Sequence, residues 1–185
     1  MSDVAPLPRE KLQQVAAEVR SAAWFVALGD PLTEGDRADA ADYIEALGLG
    51  ALAVASARDW PEAERILKSP DASTAWWDRE EAVRRGLLAT LEQRYPERVL
   101  WTALTELTTE AGDLVHGKAA AAAARMGGAA PASIHVASGA AAQAAYQLAL
   151  ARLAQDAASP FESKFRLFAA GRWPLGVAGS RLVLF

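Results

Sequence analysis

The sequence predicts an all-α protein: a bundle of about seven or eight helices around a long alanine-rich antiparallel helical hairpin, with a short C-terminal β-hairpin. Alanine supplies 44 of the 185 residues, close to half of the hydrophobic 52%, and alanine favours helices that pack closely. The segment Met126–Ala151 carries no charged side chain, which is typical of a helix buried on all sides. Two apolar runs, 173–177 and 181–185, flank Gly179-Ser180, a pair that suits a two-residue hairpin loop.

The first third of the chain predicts three helices. Apolar residues at helical spacing indicate a helix over Arg9–Leu28, which Gly29-Asp30-Pro31 would end. A second helix over Asp36–Leu47 turns Ala40, Tyr43, Ile44 and Leu47 inward and leaves its carboxylates outside. The apolar segment Ala51–Ala57 is interpreted as a short third helix.

The next two helices are predicted from their N-terminal signals. Asp59 is a candidate N-cap, with Pro61 in the first turn of a helix that reaches Leu67. Asp78 and Glu81 have capping-box spacing ahead of an apolar series that ends at Leu91. The pair Trp76-Trp77 lies just before this cap, or within an earlier first turn.

The remaining helices form the centre of the predicted bundle. A long helix spans Glu97–Arg125, Gly127-Gly128 makes the turn, and Pro131 opens the uncharged helix, which continues to about Ala157. Ser159-Pro160-Phe161-Glu162 combines a capping box with proline at the first helical position and starts a helix that ends at Gly171.

The chain is expected to divide into three parts: a frayed start over 1–8, one helical domain over 9–171, and a hairpin over 172–185 packed on that domain. In the hairpin, Ala178 should pair with Arg181. Leu182 and Leu184 should share one face of their strand, and Val183 and Phe185 the other. Both faces should therefore be covered, by helices or by a second subunit.

Composition excludes several classes of function. The absence of cysteine excludes disulfides, thiolate zinc sites and cysteine nucleophiles. A net charge of −4 argues against nucleic-acid binding, which needs a basic face. The uncharged segment is too rich in small and polar residues for a membrane span, and no signal peptide is recognised. We therefore expect a cytoplasmic protein, of bacterial origin on its alanine- and arginine-rich composition.

The strongest candidate site lies on the long helix. The spacing of Glu106, Glu110, Asp113 and His116 places the three carboxylates on one stripe, with the histidine beside it. Carboxylates so arranged suit Mg²⁺ or Mn²⁺, which prefer oxygen ligands.

Glu110-Ala111-Gly112-Asp113-Leu114 resembles the E-x-x-D helix of all-α nucleoside triphosphate pyrophosphatases. That resemblance implies a metal-dependent nucleotide phosphohydrolase with Glu110 and Asp113 among its metal ligands. The stripe adds Glu106 as a third metal ligand and His116 as a further candidate catalytic residue. The partner E-x-x-E helix of those enzymes is missing, because segment 79–84 has an arginine where its third carboxylate belongs.

A structural interpretation of the same residues is a polar seam between the two long helices. A hairpin folded about Ala129 would place Arg152 level with Glu106, Gln147 near Glu110 and Tyr146 near Asp113. The two histidines, His116 and His135, would then lie too far apart along the hairpin to share a metal. This interpretation predicts no metal, no cofactor and no catalytic residue.

The leading functional hypothesis is a protein that binds another protein, as an immunity or adaptor protein does, without catalytic activity. Segment 30–64 holds nine carboxylates against two arginines, whereas segment 159–185 is basic, so each could dock a partner or simply be solvated. Some of the six tryptophans could be interface anchors. The alternatives are the phosphohydrolase and a homo-oligomer joined through the terminal hairpin.

Overall fold

Seven helices and one small sheet form in residues 6–185, the part of the chain that this computed structural model describes. The elements are α1 Arg9–Ser21, α2 Glu34–Ala46, β1 Ala53–Ser56, α3 Trp60–Leu67, α4 Ala75–Glu92, α5 Glu97–Arg125, α6 Pro131–Ala154, α7 Pro160–Ala169, β2 Pro174–Ala178 and β3 Arg181–Leu184. The predicted fold class is confirmed. Of the predicted frayed start, residues 1–5 lie outside the described part, and Leu7 packs against the core.

Helix α6 is the centre of the bundle, because α1, α4, α5 and α7 all pack against it. Its contact with α5 uses alanines on both sides, which lets the two backbones approach closely. The alanines 119, 122 and 123 of α5 and 137, 141, 144 and 145 of α6 are each no more than 2% exposed. None of the helices in residues 6–185 is both long and apolar enough to cross a membrane.

This packing leaves no room for larger side chains between α5 and α6. We expect Ala141→Leu and Ala145→Leu each to lower the free energy of unfolding by about 1–3 kcal/mol, because the isobutyl side chain of leucine must displace the facing helix. Ala121→Leu, at an exposed position of α5, is the matched control and should change stability by less than about 0.5 kcal/mol. Urea denaturation of the three variants measures the difference, and equal stabilities would contradict the buried contact.

The sheet contains one strand more than the sequence predicts. Its order is β1-β3-β2, with β3 antiparallel to β2 and parallel to β1. The predicted hairpin register, Ala178 opposite Arg181, is confirmed. The predicted helix over Ala51–Ala57 is wrong, because Val54 pairs with Leu182 in a strand that only the distant C-terminus completes.

Helices of this same chain cover both faces of the sheet. Leu182 and Leu184 pack with Tyr43 of α2 and Leu167 of α7. On the other face, Phe185 packs edge-on against Trp60 of α3, with ring centroids 5.3 Å apart. The predicted division of the last strand into two buried faces is confirmed.

Two predicted helix ends are wrong, and one of the two predicted starts of α4 is confirmed. Helix α1 ends at Ser21 rather than Leu28, because the next segment bonds to the end of α7: Ala23 N–H donates to the Ala169 carbonyl and Ala27 N–H to that of Gly171. Of the two alternatives for α4, the earlier start is confirmed: the helix begins at Ala75, the pair Trp76-Trp77 lies in its first turn, and Asp78 is not its N-cap. Helix α6 ends at Ala154, where Gln155 turns left-handed with φ 62°.

Candidate functional site

A groove with a volume of about 630 Å³ lies between α1 and α5. The two helices run in the same direction: Arg9 and Arg98, near the N-termini of α1 and α5, both line the groove, and Arg20 at the C-terminal end of α1 pairs with Glu110 farther along α5. Its lining comprises apolar residues (Leu7, Leu12, Ala16, Val99, Ala103 and Leu107), uncharged polar residues (Gln13 and Thr102) and four charged residues (Arg9, Arg98, Glu106 and Glu110). We call it the α1–α5 groove.

The structure separates the four residues of the predicted stripe. Glu106 and Glu110 border the α1–α5 groove, and Glu110 accepts a hydrogen bond from Arg20 at 2.7 Å. Asp113 is exposed on α5 and does not line the groove. His116 lies toward α6, with Nδ1 3.4 Å from Ser138 Oγ. Within residues 6–185, no three side chains of His, Asp or Glu come together as a metal-binding group would.

The predicted polar seam between α5 and α6 is wrong. Arg152 donates to Glu162 of α7 at 2.8 Å and lies 3.5 Å from Glu18 of α1, so it does not reach Glu106. The prediction considered only α5 and α6, whereas α6 also packs against α1, α4 and α7. The polar side chains of its C-terminal half form their contacts with these other helices.

The polar residues of α6 belong instead to a buried network that joins four helices. Lys164 of α7 lies 2.7 Å from one carboxylate oxygen of Glu80 on α4 and donates to Gln147 of α6 at 3.0 Å. Tyr43 of α2 donates its hydroxyl hydrogen to Glu80. All four side chains are at most 4% exposed, so each charge is satisfied by protein groups alone. We call these four residues the Glu80 network.

Aromatic packing encloses the Glu80 network on its sheet side. The Lys164 ammonium lies 6.0 Å from the ring centroid of Trp76. Trp76 in turn lies on Gly176 of β2, where a Cβ would come within 2.8 Å of its ring. The left-handed backbone at Gly176, with φ 123°, also favours glycine.

Burial raises the pKa of the Tyr43 hydroxyl well above 10.0, and the neighbouring Glu80 carboxylate raises it further. The folded protein then holds this proton where the unfolded chain releases it, so we expect stability to fall as pH rises above about 10. Tyr43→Phe should remove this part of the alkaline loss, which urea denaturation at a series of pH values measures. Equal alkaline slopes for the two proteins would contradict the assignment.

A second buried pair fixes the C-terminal segment to α2. Arg172 and Asp36 lie 2.9 Å apart, and Arg172 also donates to the carbonyls of Ala27, Asp30 and Pro31. Burial alone would raise the pKa of Asp36, but hydrogen bonds from Thr33 and Arg172 outweigh it, so the pKa lies below 3.8. The prediction that Asp36 lies on the solvent-facing side of its helix is wrong: the side chain is 4% exposed, and its charge is compensated by the buried Arg172.

The acidic and basic segments of the sequence therefore meet within the chain. Besides Asp36 and Arg172, Arg166 of α7 pairs with Asp39 and Asp42 of α2 at 2.5 and 2.7 Å. These ion pairs hold α2 against α7. They also compensate, within the chain, three of the carboxylates that the sequence analysis considered as contacts for a partner protein. Of α2, Glu34 and Glu45 remain exposed without an ion-pair partner among residues 6–185.

The tryptophans divide into core and surface residues. Trp24, Trp60 and Trp173 are each 1% exposed and belong to the core, whereas Trp77 and Trp101 are 45% and 39% exposed. The helical spacing of Trp101 places it on the side of α5 opposite the α1–α5 groove. Among the large apolar side chains that line the groove, Val99 is the most accessible, with 45% of its surface exposed.

No family model, curated protein sequence or solved structure matches this chain.

Proposed function

We propose that the protein acts by binding another protein, as an immunity or adaptor protein does, through an amphipathic helix of that partner seated in the α1–α5 groove. The observation that carries this proposal is an accessible apolar floor bordered by two arginines near one end and by Glu106 farther along α5. A floor of leucine, valine and alanine between two parallel helices suits the apolar stripe of a third helix.

The charges at the groove ends define the partner helix. Arg9 and Arg98 form no ion pair within residues 6–185 and mark one end, and Glu106 lies farther along α5. Eight residues separate Arg98 from Glu106 in the sequence, which corresponds to about 12 Å along a helix. The partner helix should therefore carry a carboxylate and a Lys or Arg about two turns apart, on the flanks of its apolar stripe.

Site-specific photo-cross-linking in cells of the source organism tests this. A photoreactive residue at Val99 should cross-link one protein, and one at Val136 should not; Val136 is 49% exposed on α6, outside the groove. A synthetic peptide of the cross-linked segment should then bind the purified wild type and lose roughly tenfold or more in affinity with Val99→Asp. Val136→Asp is the matched control and should leave the affinity unchanged.

Two results would overturn the proposal. Equal cross-linking at 99 and 136 would show that the groove selects no partner. Micromolar Mg²⁺ binding by calorimetry, lost in the Glu110→Ala, Asp113→Ala double variant and accompanied by nucleotide hydrolysis, would establish the phosphohydrolase instead.

A further inference from the structure

The sheet has one protected edge and one open edge. The outer side of β2 begins with Pro174, has an irregular register before Gly176 and is covered by segment 71–73, whose Ser73 N–H donates to the Val177 carbonyl. Strand β1 at the opposite edge reads Ala-Val-Ala-Ser, without proline or charge. Natural proteins protect edge strands with such devices because unprotected edges accept another strand.

The backbone groups at the open edge belong to Val54 and Ser56. Ala53 N–H donates to the Ser180 carbonyl at 3.0 Å and Ala57 N–H to the Leu184 carbonyl at 2.7 Å, so these residues face β3. Alternate residues of a strand direct their N–H and C=O groups to opposite sides. Within residues 6–185, no hydrogen bond reaches the outward groups of Val54 and Ser56.

A groove of about 440 Å³ lies beside this edge, between β1 and α2. Its lining is mostly small or aliphatic (Ala41, Ile44, Gly48, Gly50, Ala51, Leu52 and Val54), with Glu45 as its only charged residue. Glu45 is exposed and forms no ion pair with the described residues. The edge therefore offers backbone hydrogen bonds, an apolar recess and one negative charge.

We infer that the β1 edge binds an extended segment of a partner protein as a fourth strand, with an aliphatic side chain in the groove beside α2 and a Lys or Arg against Glu45. Charge complementarity favours another protein over a second copy of this chain. Arg58, the cation nearest to β1 in the sequence, is held by Glu62 at 3.0 Å, so a second copy paired through β1 would supply no free cation from this strand to Glu45.

This surface shares no residue with the α1–α5 groove, so it extends the proposed protein-binding function and can fail without it. The predicted homo-oligomer used the terminal hairpin. In the structure β3 is paired on both sides and β2 is covered, so β1 provides the open edge instead.

The test uses a fluorescein-labelled peptide, Thr-Val-Thr-Lys-Thr-Val-Thr-Lys, whose valines and lysines share one face when it is extended. Fluorescence anisotropy should show saturable binding to the purified chain. N-methylation of alternate peptide nitrogens should weaken binding about tenfold or more, because it removes donors without changing side chains. Replacing both lysines by glutamate should weaken it by a similar factor.

Matched variants locate the peptide on the protein. Glu45→Lys should weaken binding roughly tenfold, and Glu34→Lys, at the other end of α2, should leave it within about twofold. Ser56→Pro should also weaken binding, because it removes an outward N–H while leaving the bonds to β3 intact.

The thermal midpoints of Glu45→Lys and Ser56→Pro should match that of the wild type, which separates lost binding from lost folding. Absence of saturable binding, or equal binding of the N-methylated peptide, would overturn the inference. So would a dimer in sedimentation that Ser56→Pro dissociates, since it would make a second copy the occupant.

Discussion

Deleting Arg181–Phe185 should unfold the protein rather than trim its surface. The segment contains the central strand of the sheet, and four of its side chains, Leu182 to Phe185, are at most 4% exposed. Burying an aliphatic or aromatic side chain contributes about 1.5–3 kcal/mol, so the loss of about 6–12 kcal/mol is comparable with the whole stability of a domain. Circular dichroism should show a broad loss of the cooperative thermal transition.

Two point variants in the same segment show whether the deletion acts through the loss of buried side chains. Phe185→Ala should cost about 3–5 kcal/mol, because the ring packs between Trp60 and Trp173. Arg181→Ala, at an exposed position of the strand, should change stability by less than about 0.5 kcal/mol. A wild-type melting curve for the deletion variant would contradict the central position of β3.

Local signals explain why some elements could be predicted closely. Helix α5 has the predicted limits because Pro96 precedes it and Gly127-Gly128 follows. Helix α3 begins as predicted because the Asp59 side chain accepts a hydrogen bond from Glu62 N–H at 2.8 Å. These features depend on residues within a few positions of each other, which a sequence displays directly.

Tertiary pairing explains most of the errors. The apolar segment 51–57 predicts a short helix, although its alternation of alanine with Leu52, Val54 and Ser56 has the period of a strand. Its partner, β3, lies about 130 residues later, so no local pattern reveals the pairing. The early end of α1 has the same origin, since the competing carbonyls belong to the distant residues Ala169 and Gly171.

The candidate site was predicted in part. The helical spacing of Glu106 and Glu110 places them beside each other on one face of α5, and both border the α1–α5 groove. The predicted pair of Glu106 with Arg152 does not form, because Arg152 donates to Glu162 of α7 instead. Which helices surround Arg152 is decided by the packing of the whole bundle and cannot be read from α5 and α6 alone. The Glu80 network was missed although a signal existed: Glu80 lies at helical spacing with the buried residues Leu87 and Leu91, where a charge needs a buried counter-charge.

Removing one charge of the Glu80 network should cost far more than removing one charge at the surface. Lys164→Met leaves the Glu80 carboxylate, 1% exposed, without a cation, and we expect a loss of about 3–5 kcal/mol in the free energy of unfolding. Arg20→Met breaks the exposed pair with Glu110 and should cost no more than about 1 kcal/mol. Urea denaturation with linear extrapolation measures both.

A double variant distinguishes an uncompensated charge from simple loss of packing. Glu80→Gln added to Lys164→Met removes the remaining charge, and its amide oxygen can still accept the hydrogen bond from the Tyr43 hydroxyl. If charge is the cause, the double variant should be more stable than Lys164→Met alone, because a neutral amide is cheaper to bury than an unpaired carboxylate. If the second substitution instead lowers stability further, the network acts through packing and hydrogen bonds, and the compensated ion pair between α4 and α7 is not what stabilises the contact of these helices.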